Sequence, residues 1–185
     1  VRTRRGIYLT PSGYSLRRVT PERVVRVSQE GEVLEGGQPT KDVQMHLEVL
    51  RKKPDINVVC HVHGAYIIAA SAMLSPGPSS LPPFTPGFVF YAYPLPMLPF
   101  IVPGTRELAE AVVEELSTRA RGALLLQNHG LITIGRDFEE TLNLAEEINE
   151  AAQIFVLGSA KAKTIPFNLL DKIRGTGKPS DNDSR

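Results

Sequence analysis

Val58-Val59-Cys60-His61-Val62-His63-Gly64 is the stretch from which this chain is read. Ile56 to Cys60 is an apolar, β-branched run introduced by Pro54-Asp55, the pattern of a buried strand. Alternate side chains of a strand share a face, so His61 and His63 point one way and Cys60 and Val62 the other. Two residues of rise set the imidazoles about 7 Å apart at Cβ, close enough to converge on one cation. They supply two of the three protein ligands of an open catalytic zinc site. A third candidate is His129, in Ala123-Leu124-Leu125-Leu126-Gln127-Asn128-His129-Gly130. There a second buried strand ends in a polar tip, and Gly130 is read as letting the backbone turn beside the ring. Taken singly, each histidine reads as a hydrogen-bonded core or surface residue. A His-x-His at one strand end with a His-Gly at another favours a shared site.

The totals bound what such a site can belong to. A chain of 185 residues predicts one domain, long enough to bury a real core. A formal charge of +1 with mixed signs gives no footprint for nucleic acid or an anionic membrane. No apolar run approaches the roughly 20 residues of a membrane helix. With no signal-peptide pattern, the expected location is cytoplasmic. The single cysteine excludes an internal disulfide, in keeping with a reducing compartment. Cys60, facing away from the histidines, reads as core. The chain begins at Val1, read as lying inside a strand, and an N-terminal part is expected to be missing. Eight of the fifteen prolines fall between Pro76 and Pro99.

In order, Arg5 to Thr10 reads as a strand closed by Thr10-Pro11-Ser12-Gly13, where Gly13 takes positive φ. Val24–Ser28 and Glu32–Glu35 read as a hairpin around Gln29-Glu30-Gly31. Thr40 is predicted to cap a helix from Lys41 to about Arg51. A short apolar helix from Ala65 to Leu74 follows the His61 strand. Ser75 to Pro99 reads as irregular, with short strands expected around Phe88–Tyr93 and Phe100–Val102. Thr105 caps an amphipathic helix, Arg106 to Arg119, with Leu108, Val112, Val113 and Leu116 as its apolar stripe. Ala123–Gln127 and Leu131–Ile134 read as strands. Asp137 with Glu140 forms a capping box that opens a helix to about Lys161. The polar segment 175–185 is expected to be a disordered tail behind a single domain spanning 1–174. Helices and strands without strict alternation predict an α/β fold with a mixed or largely antiparallel sheet covered by helices.

Asp42 lies in the first turn of its predicted helix, four residues before His46, so the two share a face. It reads either as a first-turn acid facing the helix dipole or as a carboxylate beside the metal. His46, mid-helix among apolar residues, reads as a packed histidine.

Together these residues resemble the class II aldolase/adducin family, which includes fuculose-phosphate aldolase and ribulose-phosphate 4-epimerase. The matching pieces are Thr10-Pro11-Ser12-Gly13, Pro39-Thr40-Lys41-Asp42 with His46, Pro54-Asp55, His61-Val62-His63, Pro103-Gly104-Thr105 and Asn128-His129-Gly130. Their order and approximate spacing are kept from about Val1 to Leu157. The resemblance implies a three-layer α/β/α sandwich, a homotetramer, and a small-molecule substrate. It implies a metal held by His61, His63 and His129, normally Zn2+, with Mn2+ or Co2+ as alternatives. Asp42 matches the carboxylate that ligates the resting metal or shuttles a proton. Ser12, Gly13, Thr40 and Lys41 match positions near the substrate phosphate or carboxylate. Family chemistry passes through a metal-stabilised enediolate, as in aldol cleavage, decarboxylation of a β-keto acid or C4 epimerisation.

Three departures stand out. The family's phosphate-holding Gly-Asn pair would lie before Val1. Lys41 replaces a serine common in the sugar-phosphate aldolases, and Thr85-Pro86-Gly87-Phe88 stands where fuculose-phosphate aldolases keep an active-site tyrosine. The Pro-Thr-Lys-acid motif and Leu81-Pro82-Pro83-Phe84-Thr85-Pro86 are similar to the branch that decarboxylates 3-oxo-tetronate phosphates. The expected activity is an aldolase-type lyase on a phosphorylated hydroxy-carbonyl compound. Decarboxylation, epimerisation and a non-catalytic adducin-like module are the alternatives, and the metal histidines argue against the last.

Overall fold

Four short strands open the chain as an antiparallel meander: β1 (Arg2–Thr3), β2 (Gly6–Leu9), β3 (Val25–Val27) and β4 (Val33–Glu35), in that spatial order. The computed structural model describes residues 1–118, 122–158 and 161–175. After α1 (Val43–Lys52), a second sheet begins with β5 (Val58–Val62). Then come α2 (Ala65–Met73), α3 (Pro86–Tyr91), β6 (Met97–Leu98), α4 (Arg106–Thr118), β7 (Ala123–Leu126), β8 (Gly130–Gly135), α5 (Phe138–Gly158) and α6 (Leu170–Gly175). The second sheet runs β5-β8-β7-β6 and is antiparallel except for the β6–β7 pair. The predicted mixed sheet is thus two four-stranded ladders. They meet at Asn57, whose carbonyl accepts from Arg2 N–H (2.7 Å) while its own N–H donates to Gly135 (3.0 Å).

Strand alternation builds the three layers. Leu124 and Leu126 of β7, with Ile132 and Ile134 of β8, pack with α1, α4 and the inward residues of β2 and β3. Ala123, Leu125 and Leu131 face the other way, into a core made with α2, α3 and α5. Such two-sided burial explains why β7 reads as an unbroken apolar run. Helix α4 fits the predicted stripe: Leu108, Val112 and Leu116 are buried and Val113 packs at the margin. Each buried leucine or valine contributes roughly 1.5–3 kcal/mol over the exposed state. Among the described residues no helix is long and apolar enough to cross a membrane.

Several predicted boundaries move, each for a local reason. Phe88–Tyr93 was expected as a strand, but Pro86–Tyr91 is helix α3. Thr85 accepts from Phe88 N–H (3.2 Å) and Pro86 sits in the first turn, so capping outweighs the β-favouring composition. The strand expected at Phe100–Val102 is instead β6 at Met97–Leu98. Pro99 has no N–H to continue the ladder, and Phe100 N–H donates to Gln127 Oε1 (3.3 Å). Helix α1 starts at Val43 rather than Lys41, with Asp42 at the cap position and no side-chain cap bond. Helix α5 is described as far as Gly158, where an added Cβ would stand 2.6 Å from the Ala162 side chain, and residues 159–160 before the expected end near Lys161 lie outside the described residues. At its start Asp137 caps Glu140 N–H (2.8 Å), while the Glu140 carboxylate accepts from Arg136 N–H (2.8 Å) rather than closing the expected box. Arg119 and residues 176–185 of the expected tail lie outside the described residues.

Candidate active site

Two strand ends and one helix start build the site. On β5 the side chains of His61 and His63 share a face, as the alternation predicts. Opposite them, β7 and β8 join through a tip that carries His129. His61 Nε2 lies 3.2 Å from His129 Nε2 and 2.9 Å from His63 Nε2. All three ligand atoms fall within 4.8 Å of one another. Ring centroids are separated by 4.7, 4.8 and 5.1 Å.

The tautomer of His61 is fixed by its other nitrogen. Nδ1 stands 3.0 Å from the Leu131 carbonyl, which only accepts, so Nδ1 carries the proton and Nε2 keeps its lone pair. That lone pair faces two other ring nitrogens and can accept a proton from one of them only. A divalent cation satisfies all three at once. Nitrogens about 2.0–2.1 Å from tetrahedral zinc are spaced near 3.3 Å, close to the two spacings measured from His61 Nε2. The residues present therefore fit a divalent metal. Burial makes protonation costly: it holds His61 down at about 4, with the neighbouring imidazoles adding to it, and lowers His129 as well.

The tip owes its shape to two different residues. The sequence assigned the turn to Gly130, but the left-handed residue is Asn128, at φ +54. Gly130 is needed for close approach instead, since a Cβ there would stand 2.5 Å from the Val62 carbonyl and 3.0 Å from the His63 ring.

Asp42 enters from the start of α1. Its Oδ2 is 4.0 Å from His61 Nε2, and its Oδ1 accepts from Gly104 N–H (3.1 Å). Thr105 shapes that donor loop by bonding Val102 O (2.7 Å) while capping Leu108 N–H (3.2 Å). The Ser12–Gly13 turn comes alongside because Ser12 N–H donates to Gln38 O (2.9 Å) and Thr40 N–H to Thr10 O (3.0 Å). As a result Ser12, Gly13, Thr40, Lys41, Asp42, His61 and His63 line one open cavity of about 610 Å³. Gly13 has the expected positive φ, +75.

His46 stays outside that cavity. It lines a separate, largely apolar one of about 510 Å³ behind His61, beside Cys60, and burial lowers it to about 3. Sequence reasoning missed Arg17 and Tyr14, which line the same cavity as Asp42, and Ser71, which bonds the histidine tip. Only Ser71 had a signal, as the one small polar residue in the apolar helix Ala65–Met73.

An α/β/α sandwich that gathers three imidazoles and a carboxylate at its strand ends defines a class II aldolase-type protein. The chain belongs to the family of the Class II Aldolase and Adducin N-terminal domain, whose profile matches residues 1–156. It is 34% identical over 176 residues to 3-oxo-tetronate 4-phosphate decarboxylase of Haemophilus influenzae, covering 93% of this chain and 82% of that protein. To L-fuculose phosphate aldolase of Methanococcus maripaludis it is 31% identical over 156 residues, covering 84% and 82%. Among solved structures, YgbL of Escherichia coli superposes with a TM-score of 0.80 at 31% identity, covering 89% of this chain and 80% of that one.

Proposed function

We propose that this protein is a metal-dependent carbon–carbon lyase acting on a small, phosphorylated hydroxy-carbonyl compound. The observation that carries this reading is the convergence of three imidazole nitrogens, with His61 held in the tautomer that leaves Nε2 free. His61, His63 and His129 would hold the cation, Zn2+ first among the candidates and Mn2+ or Co2+ behind it. A divalent metal there supplies Lewis acidity, drawing off the negative charge that a breaking carbon–carbon bond leaves on a substrate oxygen.

The chain's own residues do the rest. Asp42 takes the hydroxyl proton as the adjacent carbon–carbon bond breaks and the hydroxyl carbon becomes a carbonyl, then returns that proton to the carbon that lost its partner, while Gly104 N–H holds the carboxylate in place through Oδ1. Ser12, Gly13, Thr40 and Lys41 receive the anionic end of the substrate along the other wall of the cavity. The expected homotetramer belongs to the same proposal and is tested by sedimentation.

Decarboxylation is the second reading. It is favoured by the relative named a 3-oxo-tetronate 4-phosphate decarboxylase. It is also favoured by Lys41, exposed at the cavity and forming no ion pair among the described residues. Metal analysis followed by a panel of keto-sugar phosphates and 3-oxo acid phosphates separates the two. Aldehyde release marks the aldolase and carbon dioxide the decarboxylase. A protein that binds no divalent metal and turns over none of the panel would point to the adducin-like module.

A further inference from the structure

Helix α2 touches both halves of the histidine cluster. Its N-cap is Gly64, the residue after His63, and its first turn closes with Ile68 N–H donating to Gly64 O (2.9 Å). That start is tightly set, for a Cβ on Gly64 would lie 3.0 Å from the Ile67 side chain and 3.2 Å from Asn149 Oδ1 of α5. Two turns further on, about 10 Å along the axis, Ser71 is fully buried. Its hydroxyl donates to Ile68 O (2.9 Å) and accepts from Asn128 N–H (3.1 Å). Asn128 is the left-handed residue of the tip and the immediate neighbour of His129.

From this we infer that Ser71 is a positioning residue for the third metal ligand. The inference rests on reading His61, His63 and His129 as a metal site. The strand that carries His61 and His63 continues into α2, and the same helix reaches across to hold the tip that carries His129. Asn128 turns the tip through the left-handed conformation, and the Ser71 hydroxyl is the partner that holds its N–H there. No hydrogen bond holds the His129 ring from behind: Nδ1 is buried and without a partner among the described residues. The backbone at Asn128 must therefore do the orienting that an acceptor on Nδ1 does at other metal-bound histidines.

Ser71→Ala tests this, with Ser71→Cys as a graded variant that keeps a polar group at the position and weakens the acceptor. Zinc affinity is measured by competition with a chromophoric chelator, the cobalt-substituted absorption spectrum is recorded, and metal-free and metal-loaded proteins are melted. Loss of a supporting bond of this kind weakens metal binding about 10–100-fold. The expected order of affinity is serine, cysteine, alanine, with an altered cobalt spectrum and a metal-free melt that moves less than the loaded one. If alanine does not fold, the cysteine protein must still show the spectral change. An unchanged affinity and spectrum would overturn the inference. So would equal losses of melting temperature with and without metal at an unchanged spectrum, which mean that Ser71 is merely structural. If the unmodified protein binds no zinc or cobalt, the reading of the three histidines has failed, and this inference falls with it.

Discussion

Acid is expected to unfold this protein in part through His46. The ring sits on α1 facing an apolar cavity, and burial lowers it from 6.5 to about 3. The folded chain thus favours the neutral ring, whereas the unfolded chain takes up a proton near pH 6.5. Stability from this group is complete above pH 6.5 and is lost as pH falls toward the folded value. At pH 4.5 the unfolded histidine is about 99% protonated and the folded one only a few per cent, which corresponds to a loss of about 2–3 kcal/mol relative to pH 8. His46→Leu removes that contribution and leaves the remaining titrations common to both proteins. Urea denaturation at pH 8 and pH 4.5, with chelator present so that metal release does not enter, should show the wild type losing about 2–3 kcal/mol more than the variant. Equal pH slopes in the two proteins would refute the burial argument, and would mean that the cavity admits enough water to solvate the charged ring.

Asp42→Asn keeps an acceptor for Gly104 N–H, so the fold and most of the metal affinity should survive while turnover drops about 10²–10⁴-fold. An active variant melting a little lower would remove Asp42 from the chemistry. Gly130→Ala drives a methyl group against the Val62 carbonyl and should cost roughly 1–3 kcal/mol. It should also weaken zinc binding, read by melting and chelator competition; native behaviour in both would show that the strands part without strain. Cys60→Ala, on the face of β5 opposite the histidines, should cost about 1 kcal/mol or more and leave metal content unchanged. Metal loss in a folded variant would show that the alternation along β5 was misread.

What was legible in the sequence was whatever strand periodicity and capping chemistry decide locally. His61-x-His63 at the end of an apolar run gave the shared face, and Thr105 before Leu108 gave the start of α4. The class II aldolase resemblance, carried by six short motifs in order, is borne out by the family match and the fold. The segment between Pro76 and Pro99 was misjudged because its aromatic and β-branched residues suit a strand. A Thr85-Pro86 pair at its centre caps and starts a helix instead, and packing on α5 and α6 holds it there. Glycine is the usual left-handed residue, so the sequence points to Gly130 for the turn; the need of β8 to approach Val62 is visible only once β5 and β8 are paired. Ser71 and Gly104 act on the site through contacts 57 and 62 residues away in sequence, which no local pattern records.

If the three histidines hold a metal as proposed, the pairing of β5 with β8 also sets when it can be captured during folding. His61 and His129 are 68 positions apart, and they meet only after the chain between them has been closed into a loop. Before that step the chain offers two imidazoles from one strand, a weak bidentate grip open to any passing chelator. After it the third arrives, and release requires opening the β5–β8 ladder. Tight metal uptake is then a late event, and the rate at which a chromophoric chelator strips the ion becomes a clock for how often that ladder opens.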